Sequence, residues 1–289
     1  MPLPLIHYLY PSGLPKYLPQ HEDGEPSWAL VTGATDGIGR ALCVELSARG
    51  FNVVLHGRNP SKLARVRDEL QAQHPQRRFR TVTADAASFS QADIDRITGE
   101  IADVPLTVLI NNVGGTGVLS SNFMHFKDTT PAEIDGVFKV NVLFALQLTR
   151  ALLPQLQHQQ APTLVMTCGS QAHVGQPYIA AYSATKGALH AWTRALAAEQ
   201  RALGGSQVDI LEVVIGATYT QAFEGDSNFP TGSIHAHARC RGPRGARQGR
   251  PRTSLRVCVL LASRADVLPG PAADQRRGWS CGEDTETER

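Results

Sequence analysis

The sequence lacks any uninterrupted apolar run of about 18 residues, so no segment reads as a helix that crosses a membrane. Its cysteines lack a metal-ligand spacing. Cys43, Cys168, Cys240, Cys258 and Cys281 stand far apart, as reduced thiols of an intracellular protein would. A charge excess is also missing: a formal net charge of +2 offers little to nucleic acid or to an anionic surface. No internal repeat is visible. The N-terminal stretch MPLPLIHYLYPSGLPKYLPQ has no basic leader and is broken by prolines, so it does not read as a signal peptide. What remains is ordinary globular material, 42% hydrophobic and 19% charged over 289 residues, enough for one large domain with irregular ends.

Three regions differ in character. Residues 1–26 are rich in proline and turn formers and read as an irregular N-terminal arm. From residue 27 to residue 230 short β-branched runs alternate with amphipathic stretches. Strands are expected at Trp28–Thr32, Phe51–Leu55, Arg78–Thr83, Leu106–Ile110, Thr163–Thr167 and Val208–Val214. Helices are expected up to Arg49, from Pro60, from Pro131 through Leu148, and over Tyr178–Leu203. This alternation predicts an α/β fold with a doubly wound parallel sheet covered on both faces. Residues 231–289 form an atypical tail rich in arginine, glycine and proline, where Leu255–Ala262 is the one candidate element. The tail reads either as a basic interaction arm or as sequence never selected to fold, and the second reading is favoured. The fold is therefore expected to be incomplete at its C-terminal end.

The first strand runs into Thr32-Gly33-Ala34-Thr35-Asp36-Gly37-Ile38-Gly39 and then a helix. Glycines between a strand and a helix allow a tight turn and close approach to a pyrophosphate, which the helix N-terminus then holds. At the end of the second strand stands His56-Gly57-Arg58-Asn59, with no carboxylate to grip a ribose hydroxyl. Arg58 is the candidate clamp for a 2′-phosphate, which points to NADPH rather than NADH. A surface arginine at a helix entrance is the plainer alternative.

Tyr182 and Lys186 occur as Tyr-Ser-Ala-Thr-Lys, one helical turn apart on one face. A nearby ammonium favours the phenolate of a tyrosine that otherwise titrates near pH 10, poising it to protonate a carbonyl oxygen. Ser170 ends the fifth strand and is positioned to hydrogen-bond such a carbonyl, while Cys168 beside it reads as inert. The fourth strand ends in Asn111-Asn112-Val113-Gly114-Gly115, whose amides can tie strands and whose small residues leave room for a cofactor. Asn141 lies among apolar neighbours inside a helix. It either caps a backbone kink or holds a water leading to Lys186.

In this order, TGATDGIG, NNVG, Asn141, Ser170 and YSATK resemble the short-chain dehydrogenases/reductases over about residues 28–220, nearest the long-chain 3-oxoacyl-CoA reductases and related hydroxysteroid dehydrogenases. The resemblance implies a Rossmann fold and NADPH-dependent reduction of a ketone on a large apolar substrate, 3-oxoacyl or steroid-like. Tyr182 would be the general acid, with Lys186 lowering its pKa and holding the nicotinamide ribose. Ser170 would orient the carbonyl and Asn141 anchor a relay water. Gly33, Thr35, Asp36, Gly37, Ile38, Gly39, Arg58, Asp85, Ala86, Asn112, Gly114 and Thr218 would line the cofactor, Asp85 and Ala86 at the adenine. No metal is implied, and a second copy of the chain is a candidate partner, since family members often pair through two long helices. The implied location is intracellular, cytoplasmic or peripheral to the endoplasmic reticulum, although membrane-bound relatives carry an N-terminal anchor not seen here.

Three departures stand against the family pattern. The Ser170–Tyr182 spacing is one residue short. Ile215-Gly216-Ala217-Thr218-Tyr219-Thr220 replaces the usual Pro-Gly-x-Val-x-Thr, and the tail resembles no substrate lid. A rival reading follows from the missing lid: a cofactor-binding protein of the same fold with impaired catalysis.

Overall fold

The computed structural model describes residues 13–19, 24–204 and 206–216, together with the backbone of 218–219 and 236–237. Six strands form one sheet: β1 (Trp28–Val31), β2 (Asn52–Gly57), β3 (Phe79–Thr83), β4 (Leu106–Asn111), β5 (Thr163–Ser170) and β6 (Val208–Ile215). Their order is β3-β2-β1-β4-β5-β6, all parallel. Every residue of β1, β2 and β4 is buried, as the continuous apolar runs of a sheet covered on both faces require.

The helices are α1 (Gly37–Ala48), α2 (Pro60–Gln73), α3 (Gln91–Glu100), α4 (Pro131–Phe138), α5 (Phe144–Gln157) and α6 (Ala180–Ala202). Helix α1 packs on β1 and β2, and α2 on β2 and β3. The crossover from β3 to β4 reverses the direction of travel, so right-handed connections place α3, α5 and α6 on the opposite face. There α3 packs on α5, α5 on β4 and β5, and α6 on β5 and β6. Phe144, Leu148, Leu152 and Leu156, spaced at four-residue steps along α5, enter one apolar cluster with Leu30, Val54, Leu109 and Val165 of the sheet. The strand order reverses between β1 and β4, and the crevice beyond their C-terminal ends is where such a sheet holds ligands.

The expected doubly wound α/β sheet is present, with differences at particular elements. Helix α3 was not anticipated from periodicity, because it is short and polar and buries only Ile94 and Ile97. Its signal is instead a capping box, in which Ser90 accepts from the Asp93 amide and Asp93 returns a bond to the Ser90 amide. Helix α6 begins at Ala180 rather than Tyr178, whose φ of 64° is left-handed. The N-terminal arm is not wholly irregular. Leu14–Tyr17 forms a short 3-10 helix with Leu14 and Tyr17 buried. The Tyr17 hydroxyl donates to Asp209 of β6 at 2.8 Å, and Thr107 of β4 donates to the Tyr17 carbonyl at 2.7 Å. Burial and the Asp209 carboxylate push the Tyr17 phenol well above its usual range.

Among the described residues, one helix bears on the expected lack of a membrane span. The helical run Pro131–Gln157 is long and apolar enough to cross one by length and composition alone. Polar residues such as Asn141 and Gln147 interrupt its apolar ones, so it holds no long continuous apolar run. In this fold its α5 part faces the sheet, as the core helix of a globular domain does. The tail from residue 231, with Leu255–Ala262, lies outside the described residues apart from Ala236–His237, which pairs in parallel with Thr218–Tyr219.

Candidate active site

The turn after β1 is built around Thr32. Its buried hydroxyl accepts from the amides of Asn112 and Val113 and donates to the Ile110 carbonyl, which locks the end of β1 to the end of β4. The Asn112 side chain donates to the carbonyls of Thr32 and Gly33 at 2.8 and 3.3 Å. Gly33 has φ of 67°, a left-handed conformation in which a side chain is strained. Gly39, in the first turn of α1, lies so close that a Cβ there would run into the Gly33 carbonyl oxygen and come within 2.6 Å of Asn112 Nδ2. Asp36 is the N-cap residue of α1 but its side chain makes no capping bond, which leaves the first-turn amides to a ligand or solvent. The Thr35 methyl faces Gly57 at the end of β2.

Arg58, just beyond β2, is exposed and makes no hydrogen bond or ion pair among the described residues. Asn59 next to it caps α2 by accepting from the Lys62 amide. Asp85, after β3, spends one carboxylate oxygen on the Ala87 amide, and Ala86 is buried. These positions are carried to the same edge of the sheet by three parallel strands ending side by side, with Gly57 in register with Thr83.

His56 has a role the sequence did not disclose. Its ring is buried, stacks on Phe144 at 4.8 Å, and neither nitrogen has a hydrogen-bond partner among the described residues. Burial pushes its pKa down to about 4 from 6.5, and the Ala84 backbone opposes the fall only in part. A base whose folded pKa is depressed contributes stability that is complete above about pH 6.5 and drains away as pH falls to about 4. The gap is worth about 3 kcal/mol. Urea titrations between pH 7 and 4 should therefore show a steeper acid loss in the natural chain than in His56→Leu, which cannot be charged. Parallel curves would mean that His56 is not the acid-sensitive group.

The second cluster joins β4, the α4–α5 junction and α6. Between α4 and α5 the chain passes through one π-helical turn, Lys139–Leu143, with Asn141 fully buried inside it. Asn141 Nδ2 donates to the carbonyls of Gly115 and Val137 at 2.8 and 2.9 Å, and its Oδ1 accepts from the Gly115 amide at 2.8 Å. These bonds tie its side chain to backbone on both sides of the π-turn. The clamp closes the hydrogen-bond gap that a π-bulge opens. A Cβ on Gly114 would lie 2.6 Å from Asn141 Oδ1 and 3.5 Å from Lys186 Nζ, so the three residues converge. Lys186 is buried, donates to the Cys168 carbonyl at 3.2 Å, and holds Nζ 5.6 Å from the centre of the Tyr182 ring. Cys168 is also buried. Burial pushes its thiol up to about 11 despite the Lys186 charge, in keeping with an inert side chain.

Ser170 ends β5, and its hydroxyl oxygen accepts from the Ala172 amide at 3.2 Å. That contact leaves the hydroxyl proton free to be donated elsewhere. No hydrogen bond joins Ser170 to Tyr182 among the described residues. An open, mostly apolar cleft of about 520 Å³ lies beside the turn that follows, lined by His173, Pro177, Ala180 and Ala184. Ser170, Tyr182 and Lys186 are not among its lining residues. Thr218 is described only as backbone.

Residues 27–229 match the model of the short chain dehydrogenase family. The chain belongs to that family. The expected resemblance thus holds over about the stretch on which the motifs stand. Among curated relatives of this short-chain dehydrogenase, the very-long-chain 3-oxoacyl-CoA reductase of Meyerozyma guilliermondii is 32% identical over 202 residues, 68% of this chain and 57% of that protein. The chain therefore spans little more than half the length of such relatives. Among solved structures, a short chain dehydrogenase of Shigella flexneri complexed with NADP superposes with a TM-score of 0.64 at 26% identity, covering 72% of this chain and 83% of that one. One from Escherichia coli complexed with NADPH superposes with a TM-score of 0.60 at 26% identity, over 66% of this chain and 77% of that one.

Proposed function

We propose that this dehydrogenase reduces the keto group of a large apolar substrate, of the 3-oxoacyl-CoA type, at the expense of NADPH. The observation that carries the reading is the buried Lys186 beside the Tyr182 ring, opposite Gly114 and Asn141 at the reversal point of the sheet. The name of the Meyerozyma relative supports the substrate class, and the NADP and NADPH complexes of the structural relatives support the nucleotide.

The residues present fit such a nucleotide. Gly33 and Gly39 form a cradle that any Cβ would fill, and the uncapped α1 amides above it suit a pyrophosphate. Arg58, without a partner among the described residues, would take a 2′-phosphate, with Asp85 and Ala86 near the adenine and Thr218 on the nicotinamide side. NADPH, when bound, supplies the hydride. Tyr182 gives its phenolic proton to the carbonyl oxygen as negative charge develops there. Lys186 stabilises the phenolate left behind, and its burial strengthens that effect by excluding water. Ser170 donates its free hydroxyl proton to the same oxygen and fixes its direction. Asn141 keeps the β4 loop and the π-turn in place around Lys186, with one Oδ1 lone pair left for a relay water.

Thermal unfolding of the purified chain tests the nucleotide. At 100 times its dissociation constant a ligand stabilises the native state by about 2.7 kcal/mol. A clear rise with NADPH, little with NADH, and the reverse in Arg58→Asp are the expected results. No rise with either nucleotide defeats the proposal. A rise without turnover of any 3-oxoacyl-CoA leaves a binding protein in place of an enzyme.

A further inference from the structure

Between Ser170 and Tyr182 the chain makes a short 3-10 turn, Gln171–Val174, and then enters α6. Three ionisable side chains meet beside this turn, and the reading above uses none of them. His173, in the turn, has Nδ1 2.8 Å from the Ser170 carbonyl oxygen, so Nδ1–H donates to it. Its ring stacks on that of His190 with centroids 4.6 Å apart and planes 24° from parallel. His190 Nδ1 in turn lies 2.5 Å from Glu212 Oε2 on β6. The Glu212 side chain is only 8% exposed. Its second oxygen has no hydrogen-bond partner among the described residues and rests against Gly169, where any Cβ would run into it.

The arrangement grips the end of β5 from two sides. Glu212 presses on Gly169 from the neighbouring strand, and His173 tethers the Ser170 carbonyl from the turn. Both grips return to α6 through His190. That helix carries Tyr182 and Lys186 eight and four residues before His190, on the same face. A buried carboxyl against a strand backbone is a costly feature for packing alone, since an apolar side chain would fill the space without an orphan oxygen.

We infer that Glu212, His190 and His173 form a positioning column that sets Ser170 against Tyr182 across the shortened loop. The column fixes the distance between the group that orients the carbonyl and the group that protonates it. Its tautomers follow from its bonds: Nδ1–H on both rings, His173 toward Ser170 and His190 toward Glu212. This inference rests on the proposed role of Ser170.

The test measures kcat, KM and NADPH affinity with a 3-oxoacyl-CoA in the full-length chain. His173→Phe keeps the stack and removes the tether. It should lower kcat by about 5–10-fold and leave NADPH affinity within about twofold, because His173 bonds the Ser170 carbonyl and stacks on His190, neither of them placed at the nucleotide. His173→Asn, whose amide can stand where Nδ1–H stood, should restore most of the rate. In a Ser170→Ala background, His173→Phe should cost nothing further. A slow Ser170→Ala with a full-rate His173→Phe overturns the positioning column alone. So does a His173→Asn no faster than His173→Phe, or a fall in NADPH affinity that matches the fall in kcat. A full-rate Ser170→Ala, or a natural chain inert toward every 3-oxoacyl-CoA, overturns the reading beneath it and the column together.

Discussion

Tyr182→Phe should, under the proposed function, lower turnover of a 3-oxoacyl-CoA by about 10²–10⁴-fold, the usual contribution of a positioned general acid, while NADPH affinity stays within a fewfold. The size of the effect follows from what the substitution removes. Phenylalanine keeps the ring that faces Lys186 at 5.6 Å and keeps its packing at the start of α6, so the helix and the nucleotide cradle are undisturbed. Only the transferable proton is lost. A group that acts only as charge develops should depress kcat and kcat/KM together and leave binding nearly alone. Lys186→Met should be as severe for the rate but less clean, because that ammonium also donates to the Cys168 carbonyl in a buried setting. A Tyr182→Phe enzyme that turns over at the natural rate would remove the acid from the mechanism, and with it the main reason for placing the chemistry at this end of α6.

How much of this was legible before the structure differs from residue to residue. The strands were legible because buried parallel strands leave continuous β-branched runs, and Val53, Val54 and Leu55 or Val108, Leu109 and Ile110 have no other use for so much apolar surface. Tyr182, Lys186 and the glycine turn were legible because their chemistry is confined to short spacings, one helical turn or one strand-to-helix junction. Helix α3 escaped because its apolar face is only Ile94 and Ile97 and its boundary is marked by a cap rather than by periodicity. Asn141 was suspect as a polar residue among apolar ones, yet only the fold reveals the π-turn and the Gly115 backbone that satisfy its amide. Thr32, His56 and the His173–His190–Glu212 column were invisible for a different reason. Each depends on a pairing across 17 to 88 residues of chain that the parallel topology creates and no local pattern encodes.

The same topology makes a single methyl group at Gly39 the most damaging small change in the nucleotide cradle. In Gly39→Ala the new Cβ meets the Gly33 carbonyl, which is backbone, and Asn112 Nδ2, which is already bonded to Thr32 and Gly33. Neither obstacle can swing away as the end of a flexible side chain would. The start of α1 must therefore move off the β1 turn, at a cost of about 1–3 kcal/mol in stability, the usual range for overpacking. The displaced amides then point away from where a pyrophosphate would lie, and a misplacement on the order of 1 Å is enough to cost about 10²-fold in function. Gly99→Ala supplies the contrast. Gly99 lies in α3 with nothing near its would-be Cβ and no left-handed φ, so alanine there should stabilise the chain by about 0.5–1 kcal/mol. Denaturant titrations with and without NADPH separate the two effects. Gly39→Ala should lose both baseline stability and most of the nucleotide-induced gain, whereas Gly99→Ala should rise at baseline and keep the full gain. Equal NADPH-induced gains in both variants would mean that the nucleotide does not lie against the first turn of α1.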